Sequence, residues 1–346
     1  MHARAAQHGK KPGSPAGRLP SYSLNLLQAV YHPSNTAAQR DNRWHQQPES
    51  PATLITLNAL PLAYRLLRRP DAHKGDSGKV LLIGGAPTMA GALVLAGRAS
   101  LYAGAGYTVL LMLDAASAQV IPEQPELMVH APKDHEDPTR AVAAIGPDVL
   151  AIGPGLGLDS VAQSWLQAAL AWAGPLVIDA DALTLLATHA PLLQALRQRQ
   201  HPSCLTPHPG EAARLLGCSN HDIQAGRAAA LQALVAHTQS IVVLKGQRSL
   251  VGAPGQALQQ CMDGNPGMAV GGMGDVLTGC LAALAAQGLR HHLSLHEATC
   301  LAVQVHALAA DRLVARGVGP VGLTPMEVAM ELRQVINGLG SLPPKA

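Results

Sequence analysis

Residues 79–113 read KVLLIGGAPTMAGALVLAGRASLYAGAGYTVLLML, and this stretch predicts the fold. A short apolar run ends in glycines at Lys79–Gly85, a helical segment rich in small residues follows, and a second apolar run spans Tyr107–Leu113. Apolar runs of this length are typical of parallel strands that are buried on both faces. Because two parallel strands need a crossover connection, the segment between the runs is expected to be a helix packed on the sheet.

The same alternation recurs further along the chain. Four more stretches show a strand that ends in a loop: DVLAIGPGLG (148–157), PLVIDADALTLLA (175–187), SCLTPHPGEAARLLG (203–217) and SIVVLKGQRSLVGAPG (240–255), the last of which looks like a strand entering a hairpin. Repeated strand–helix units predict an α/β fold with a mainly parallel central sheet covered by helices on both faces. In such sheets ligands bind outside the carboxyl ends of the strands, where the glycine-rich and acidic segments fall.

The first fifty residues differ from the rest of the chain. They are rich in Pro, Gln, His, Ser and Gly and show no sustained period, which predicts a disordered tail over residues 1–50. Residues 51–340 are predicted to form one α/β domain, since open sheets of this kind often reach this size as a single unit.

The composition excludes several classes of protein. Hydrophobic residues make up 48% and charged residues 14% of the 346 residues, which is typical of a globular protein. A net charge of +3 and an aromatic content of 2% without Phe argue against nucleic-acid binding. The sequence contains no uninterrupted run of about eighteen apolar residues, so a membrane span is not expected. The basic N-terminal residues are not followed by the apolar stretch of a signal peptide. Five dispersed cysteines favour reduced thiols and a cytoplasmic protein.

The stretch GGMGDVLTG (271–279) carries the strongest chemical signal. A helix start has unpaired N–H groups and partial positive charge, and glycines let a phosphate approach those groups. Asp275 would lie beside this anion pocket and accept a proton from a substrate hydroxyl. The alternative is that Asp275 only caps the helix, but a cap alone does not require Gly271, Gly272, Gly274 and Gly279 around it.

Other strand ends offer weaker candidates. Lys245, in LKGQRS, is placed to reach a phosphate, with a solvated strand-end lysine as an equal alternative. His208 lies between two prolines that would hold it rigidly, although a turn or cap role is the simpler interpretation. Asp181 is expected to be the N-cap of the helix that follows its strand. The chain contains no G-x-x-x-x-G-K-[ST] motif, so a P-loop is excluded.

Taken together, these stretches resemble the ADP-dependent NAD(P)H-hydrate dehydratase family of the ribokinase-like superfamily. The resemblance rests on six segments in order between residues 54 and 335: HKGDSGKVLLIGGAPTMAGALVLAGRASLYAGAGYTVLL, AIGPGLG, VIDADALTLLA, LTPHPGEAARLL, VVLKGQRSLV and GNPGMAVGGMGDVLTG. It implies a three-layer α/β/α ribokinase-like fold. It also implies an ADP-dependent dehydration of the S epimer of hydrated NAD(P)H that yields NAD(P)H, AMP and phosphate.

The resemblance assigns residues to each ligand. Those expected to contact the hydrated nicotinamide nucleotide are Ala92, Gly155, Gly157, His208 and Asp275, of which Asp275 meets the hydroxyl as the catalytic group. Those expected to bind the AMP portion of ADP are Lys245, Gly246, Gln247, Arg248, Ser249 and Gly274. The family often has small residues and Thr where this chain has Gln247–Arg248–Ser249, which is a departure from its pattern. Mg²⁺ is expected on the diphosphate, without a set of protein ligands that can be read from the sequence.

The resemblance also bears on partners. Family members often carry a fused N-terminal epimerase domain, and only about fifty irregular residues precede the first predicted strand here. The chain is therefore expected to dehydrate but not to epimerise, and to act with a separate epimerase. A homo-oligomer such as a tetramer is also expected. Two alternatives to the dehydratase are a small-molecule kinase of the same superfamily, acting on a hydroxyalkyl group, and a non-catalytic nucleotide sensor.

Overall fold

The structure is a computed structural model that describes residues 53–119, 124–133 and 135–340. The tail predicted for residues 1–50 lies outside the described residues, so that prediction remains open. The single domain predicted for residues 51–340 likewise stays a prediction.

The described residues form one ten-stranded sheet. Its strands are β1 (Leu54–Thr56), β2 (Lys79–Gly84), β3 (Tyr107–Met112), β4 (Met128–His130), β5 (Val149–Ile152), β6 (Leu176–Ile178), β7 (Ser203–Leu205), β8 (Ile241–Leu244), β9 (Leu250–Gly252) and β10 (Leu258–Gln260). Their order across the sheet is β1-β10-β9-β8-β7-β6-β5-β2-β3-β4. All neighbouring pairs are parallel except those that β9 forms with β8 and β10, so the predicted hairpin after β8 is confirmed.

Helices cover both faces of this sheet. They are α1 (Ala90–Tyr102), α2 (Pro138–Ile145), α3 (Ser160–Ala171), α4 (Ala180–Thr188), α5 (Ala190–Arg197), α6 (Pro209–Leu216), α7 (Asn220–Ala225), α8 (Arg227–Thr238), α9 (Met273–Arg290), α10 (Leu295–Ala315) and α11 (Pro325–Gly340). The core on one face contains α1, α9, α10 and α11, and the core on the other contains α2 to α8. The predicted three-layer α/β/α fold with a mainly parallel sheet is therefore confirmed.

Strand β2 shows why these runs are apolar throughout. Val80 and Leu82 belong to the core beneath α1 and α9, whereas Leu81 and Ile83 belong to the core on the opposite face. All four side chains are completely buried. Because successive side chains of a strand point to opposite faces, a strand between two helical layers needs apolar residues at every position.

The chain reverses its direction of travel across the sheet between β2 and β5. From β2 it continues to β3 and β4 on one side, and then crosses to β5 on the other side of β2. Such a switch point leaves a crevice at the carboxyl ends of the two strands. Two main-chain hydrogen bonds join the loops that follow β2 and β5. Gly85 N donates to Pro154 O at 3.1 Å, and Ala86 N donates to Gly155 O at 2.7 Å.

One helix among the described residues, α10, is long and apolar enough to span a bilayer. Within that stretch, 72% of the residues are buried inside the fold, where they pack against α9 and α11. The central helix of a globular core has the same length and composition, so this finding gives only weak evidence for a membrane.

Candidate active site

The first turn of α9 forms the floor of the candidate site. The helix begins at Met273, and its N-cap position is Gly272, with a φ of 92°. Gly272 has no side chain to satisfy the first-turn N–H groups, and while that of Met273 donates to the main-chain oxygen of Val270 at 3.4 Å, those of Gly274 and Asp275 can bind an anion. Asp275 is the third residue of the helix rather than its N-cap, and the interpretation of Asp275 as a simple cap is therefore wrong.

The glycines around Asp275 have different tasks. A Cβ atom on Gly274 would lie 3.1 Å from Nζ of Lys245 and 3.7 Å from Oδ2 of Asp179, so the lack of a side chain keeps this approach open. A Cβ atom on Gly279 would lie only 1.9 Å from the main-chain oxygen of Ala96 in α1. Gly279 therefore allows α1 and α9 to pack closely, and the prediction that it contributes to the anion pocket is not supported.

An ion pair lies against this turn. Nζ of Lys245, at the end of β8, donates to Oδ1 of Asp179 at 2.8 Å, and Oγ1 of Thr278 donates to Oδ2 at 2.8 Å. The Asp179 side chain is 2% exposed and that of Lys245 is 18% exposed. Both oxygens of Asp179 are thus satisfied, as a buried carboxylate requires. Sequence reasoning missed Asp179 as a site residue, although it directly follows β6.

Asp181 has a different role from the one predicted. The helix α4 begins at Ala180, so Asp179 occupies its N-cap position and Asp181 lies in its first turn. Oδ2 of Asp181 accepts a hydrogen bond of 2.9 Å from the main-chain N–H of Gly157. The expectation that Asp181 caps the helix is wrong by two residues, and the side chain instead fixes the glycine loop that follows β5.

Next to this ion pair, His208 and Glu211 form a reciprocal cap at the start of α6. Nδ1 of His208 accepts from the N–H of Gly210 at 3.0 Å, and Oε2 of Glu211 accepts from the N–H of His208 at 2.7 Å. This confirms the simpler interpretation of His208 as a cap. Its side chain remains 51% exposed at the site, while that of Glu211 is only 7% exposed and lies 3.9 Å from Nζ of Lys245.

The carboxylates and the lysine shift one another's pKa values. Burial raises the pKa of Asp275 to about 7, and the negative charge of Asp179 adds to this effect against the opposing charge of Lys245. Burial also raises the pKa of Glu211. Burial alone would lower the pKa of Lys245, but the charges of Asp179 and Glu211 outweigh it and the pKa is raised. A carboxylate that titrates near neutrality is suited to general base catalysis.

The turn that joins β8 and β9 contains five of the six predicted nucleotide-binding residues, Lys245–Ser249, and the sixth, Gly274, lies in α9. Gly246 and Arg248 both have positive φ values, 135° and 54°. Oγ of Ser249 donates to the main-chain oxygen of Gly246 at 3.2 Å, and Gln247 is exposed. Arg227 in α8 donates to the main-chain oxygens of Leu244 at 3.1 Å and Lys245 at 3.3 Å. Sequence reasoning missed Arg227, which fixes the start of this turn through these two hydrogen bonds.

Ala92 and Gly155 lie on either side of one main-chain segment. The N–H of Ala92, in the first turn of α1, donates to the oxygen of Met89 at 3.2 Å. A Cβ atom on Gly155 would lie 2.5 Å from that same oxygen, and its φ is 57°. The structure therefore places Ala92 and Gly155 together at the switch point, in line with their predicted share in one binding surface.

The fold and this site define an α/β enzyme of the ribokinase-like class, with an anion pocket, a buried cation and a titratable carboxylate at one sheet edge. A family model for NAD(P)H-hydrate dehydratase matches residues 80–333. The chain belongs to the NAD(P)H-hydrate dehydratase family.

Relatives and solved structures agree with this assignment. The bifunctional NAD(P)H-hydrate repair enzyme of Escherichia coli K12 is 40% identical over 270 residues, which cover 78% of this chain and 50% of that protein. The enzyme of the same name from Vibrio cholerae is 40% identical over 340 residues, covering 96% of this chain and 64% of that protein. The chain thus spans about half the length of the Escherichia coli relative.

Two crystal structures show the same architecture. One is the ADP/ATP-dependent NAD(P)H-hydrate dehydratase from Bacillus subtilis, co-crystallized with ATP and Mg²⁺, at 26% identity and a TM-score of 0.68. It is matched over 82% of this chain and 98% of that chain. A ribokinase-like superfamily protein from Enterococcus faecalis gives 28% identity and a TM-score of 0.70, over 84% of this chain and 97% of that chain.

Proposed function

We propose that the chain dehydrates the S epimer of hydrated NADH or NADPH with ADP as the phosphoryl donor, giving NAD(P)H, AMP and phosphate. The observation that carries this proposal is the position of Asp275. It lies three residues after the glycine N-cap of α9 and has a pKa of about 7 beside a buried lysine. That arrangement combines a group able to take a proton with an anion pocket for the phosphoryl group.

The reaction balances in two steps. Asp275 accepts the proton of the substrate hydroxyl while the oxygen of that hydroxyl attacks the β-phosphorus of ADP. A new P–O bond forms, and the bond between the β-phosphorus and the bridging oxygen breaks, so that AMP leaves. The lone pair of the ring nitrogen then expels phosphate and leaves an iminium, and the neighbouring ring carbon gives up a proton to the departing phosphate, which restores the reduced nicotinamide ring. The first-turn amides of α9 stabilise the charge on the transferring group, and the loss of one such donor costs about 3 kcal/mol in comparable sites.

The two ligands occupy neighbouring parts of the site. The residues proposed for the hydrated nicotinamide nucleotide are Ala92, Gly155, Gly157, His208 and Asp275. The residues proposed for the AMP portion are Lys245, Gly246, Gln247, Arg248, Ser249 and Gly274. Support for this division comes from the fold, because Ala92 lies in the first turn of α1 and Gly155, Gly157 and His208 follow β5 and β7, whereas Lys245–Ser249 follow β8 and Gly274 lies in α9. Asp275 links the two sets.

Mg²⁺ fits the donor set of the site. Among the described residues, no group of three or more His, Cys, Asp or Glu side chains could form a metal site. Mg²⁺ is usually held by one or two carboxylates together with substrate phosphates, and we propose Glu211, whose Oε2 already accepts from the N–H of His208, as a carboxylate that would bind it through its other oxygen. When bound, Mg²⁺ would neutralise charge on the diphosphate oxygens.

Further expectations about the protein in the cell belong to this proposal. The bifunctional relatives bear the name of repair enzymes, and we expect the R epimer to reach this chain after a separate epimerase has converted it. We propose a cytoplasmic location, where nicotinamide cofactors are used. We also propose a homo-oligomer such as a tetramer, which light scattering on the purified chain tests.

The direct test supplies hydrated NADH with ADP or ATP and Mg²⁺ and follows the return of reduced-nicotinamide absorbance. We expect recovery of NADH that requires nucleotide and is matched by AMP and phosphate when ADP is used. A reaction without nucleotide serves as the blank, and Asp137→Asn, which changes a cap of α2 on the opposite layer, serves as the matched variant. Accumulation of a phosphorylated product without NADH would instead support a kinase, and nucleotide binding without turnover would support a sensor.

A further inference from the structure

A carboxylate of α10 holds the middle of the segment between β10 and α9, close to the point where Gln304 of the same helix donates to Asp263 at 3.1 Å. Oδ2 of Asp311 accepts from the main-chain N–H of Gly264 at 2.7 Å, and Oδ1 accepts from Nδ2 of Asn265 at 2.8 Å. Oδ1 of Asn265 in turn accepts from the N–H of Gly267 at 3.0 Å. Both carboxylate oxygens of Asp311 therefore bind this segment. Asn265 connects Asp311 to the next turn, because it donates to Asp311 and accepts from Gly267.

This turn has little freedom to move. A Cβ atom on Gly267 would lie 2.7 Å from the main-chain oxygen of Pro320, which shows how closely the turn packs on the α10–α11 connection. The segment continues through residues 268–272 directly into the first turn of α9. At that end, the buried His306, also in α10, lies against the main chain of Met273. The same helix thus contacts both ends of the glycine-rich segment.

We propose that Asp311 is a positioning residue that sets the first turn of α9, and with it Asp275, against the Asp179–Lys245 pair. Asp311 lies 36 positions after Asp275 and acts only through the segment 264–273. A displacement of about 1 Å at a reacting group can cost on the order of a hundredfold in rate, so a loose segment should show in turnover. This inference rests on the proposed function for its kinetic readout.

The geometry provides a reciprocal test, because residues 265 and 311 can exchange their side chains. In Asp311→Asn, two donors face one remaining acceptor. In Asn265→Asp, two carboxylate oxygens face each other. In the double variant, Asn at 311 accepts from Gly264 N–H through its oxygen and donates through its amide to Asp at 265, whose other oxygen accepts from Gly267 N–H. All three hydrogen bonds are restored, with one of them reversed, and the net charge is unchanged.

We expect each single variant to lower kcat roughly tenfold to a hundredfold, with a smaller change in the KM for ADP. The double variant should recover kcat to within a few-fold of the unmodified chain. Asp137→Asn is the control, because its carboxylate also accepts from two main-chain N–H groups, those of Thr139 and Arg140, but on the opposite layer. It should leave kcat unchanged.

Amide exchange over residues 264–273, measured by mass spectrometry, gives a second readout that does not depend on activity. We expect faster exchange in both single variants and recovery in the double variant. Single variants with unchanged kcat and exchange would overturn the inference, as would a folded double variant that shows no recovery. If the unmodified chain has no dehydratase activity, the proposed function fails, while the exchange measurement still decides whether Asp311 positions the segment.

Discussion

Lys245 and Asp179 lie 66 residues apart in the chain, yet Nζ of the lysine is 2.8 Å from Oδ1 of the aspartate. The pair joins the end of β8 to the end of β6, and a Cβ atom on Gly274 of α9 would touch the ammonium group. Around one cation the structure therefore gathers Asp179, Glu211 and Asp275. Burial, together with the negative charge of Asp179, raises the pKa of Asp275 to about 7 against the opposing charge of Lys245.

Asp275→Asn should abolish turnover while ADP still binds. The amide has nearly the same shape but cannot accept the proton, and we expect a loss of at least about a hundredfold in kcat. Isothermal titration with ADP and Mg²⁺ checks that binding persists. In the unmodified chain, kcat/KM should rise with pH through about 7, as the carboxyl group loses its proton. An Asn variant with normal turnover would remove Asp275 from the mechanism.

The same substitution should stabilise the fold at neutral and alkaline pH. The folded pKa of Asp275, about 7, lies above the ordinary value of 3.8, so the folded state binds a proton that the unfolded state has lost. The carboxyl group therefore contributes stability below pH ~4 that is lost as the pH rises through about 7. We expect the difference in free energy of unfolding between Asp275→Asn and the unmodified chain to grow over this window. Thermal unfolding at pH 4.5 and 8 measures it, and a constant difference would contradict the shifted pKa.

Lys245→Met should destabilise the protein and weaken ADP binding. It leaves the 2% exposed carboxylate of Asp179 without its ionic partner, and the loss of one partner of a buried pair costs about 3–5 kcal/mol. Adding Asp179→Asn removes the unpaired charge, so the double variant should regain part of the stability without regaining affinity for ADP. Denaturant unfolding and calorimetry separate the two effects. Unchanged stability in Lys245→Met would show that the pair contributes little.

Arg199→Lys should reduce stability without changing kcat. The guanidinium donates to the main-chain oxygens of Ala169, Trp172 and Gly174 and to Oγ of Ser203, and it is half-buried. Lysine cannot reproduce this planar set of donors, and we expect a loss of about 1–3 kcal/mol. Differential scanning calorimetry and the turnover assay test both parts. A fall in kcat for fully folded enzyme would show that the hydrogen bonds of Arg199 also influence the candidate active site.

Arg227→Ala should raise the KM for ADP more than it lowers kcat. Arg227 donates to the main-chain oxygens of Leu244 and Lys245 at the start of the proposed nucleotide-binding turn. It is not one of the groups proposed to react. Without it the turn should sample more conformations and bind ADP less well. Steady-state kinetics with varied ADP checks the split, and a pure loss of kcat would argue against this role.

Local pattern was sufficient for the architecture and for the sheet edge at which the candidate site residues lie. Val80–Ile83 is apolar at every position, as a strand between two helical layers requires, and β2 occupies that place. Because parallel strands bring their carboxyl ends to one edge, the sequence also indicated that His208, Lys245 and Asp275 would lie near each other.

The partners of those residues depended on tertiary structure. A shift of two residues in where α4 begins decides that Asp179 meets Lys245 while Asp181 meets Gly157. The Asp311–Asn265 contact joins residues 46 positions apart and has no local signal. Hydrogen bonds of this kind depend on the order of strands and the packing of helices. Periodicity in the sequence reports which face of an element is buried, but not which side chain of another element lies opposite it.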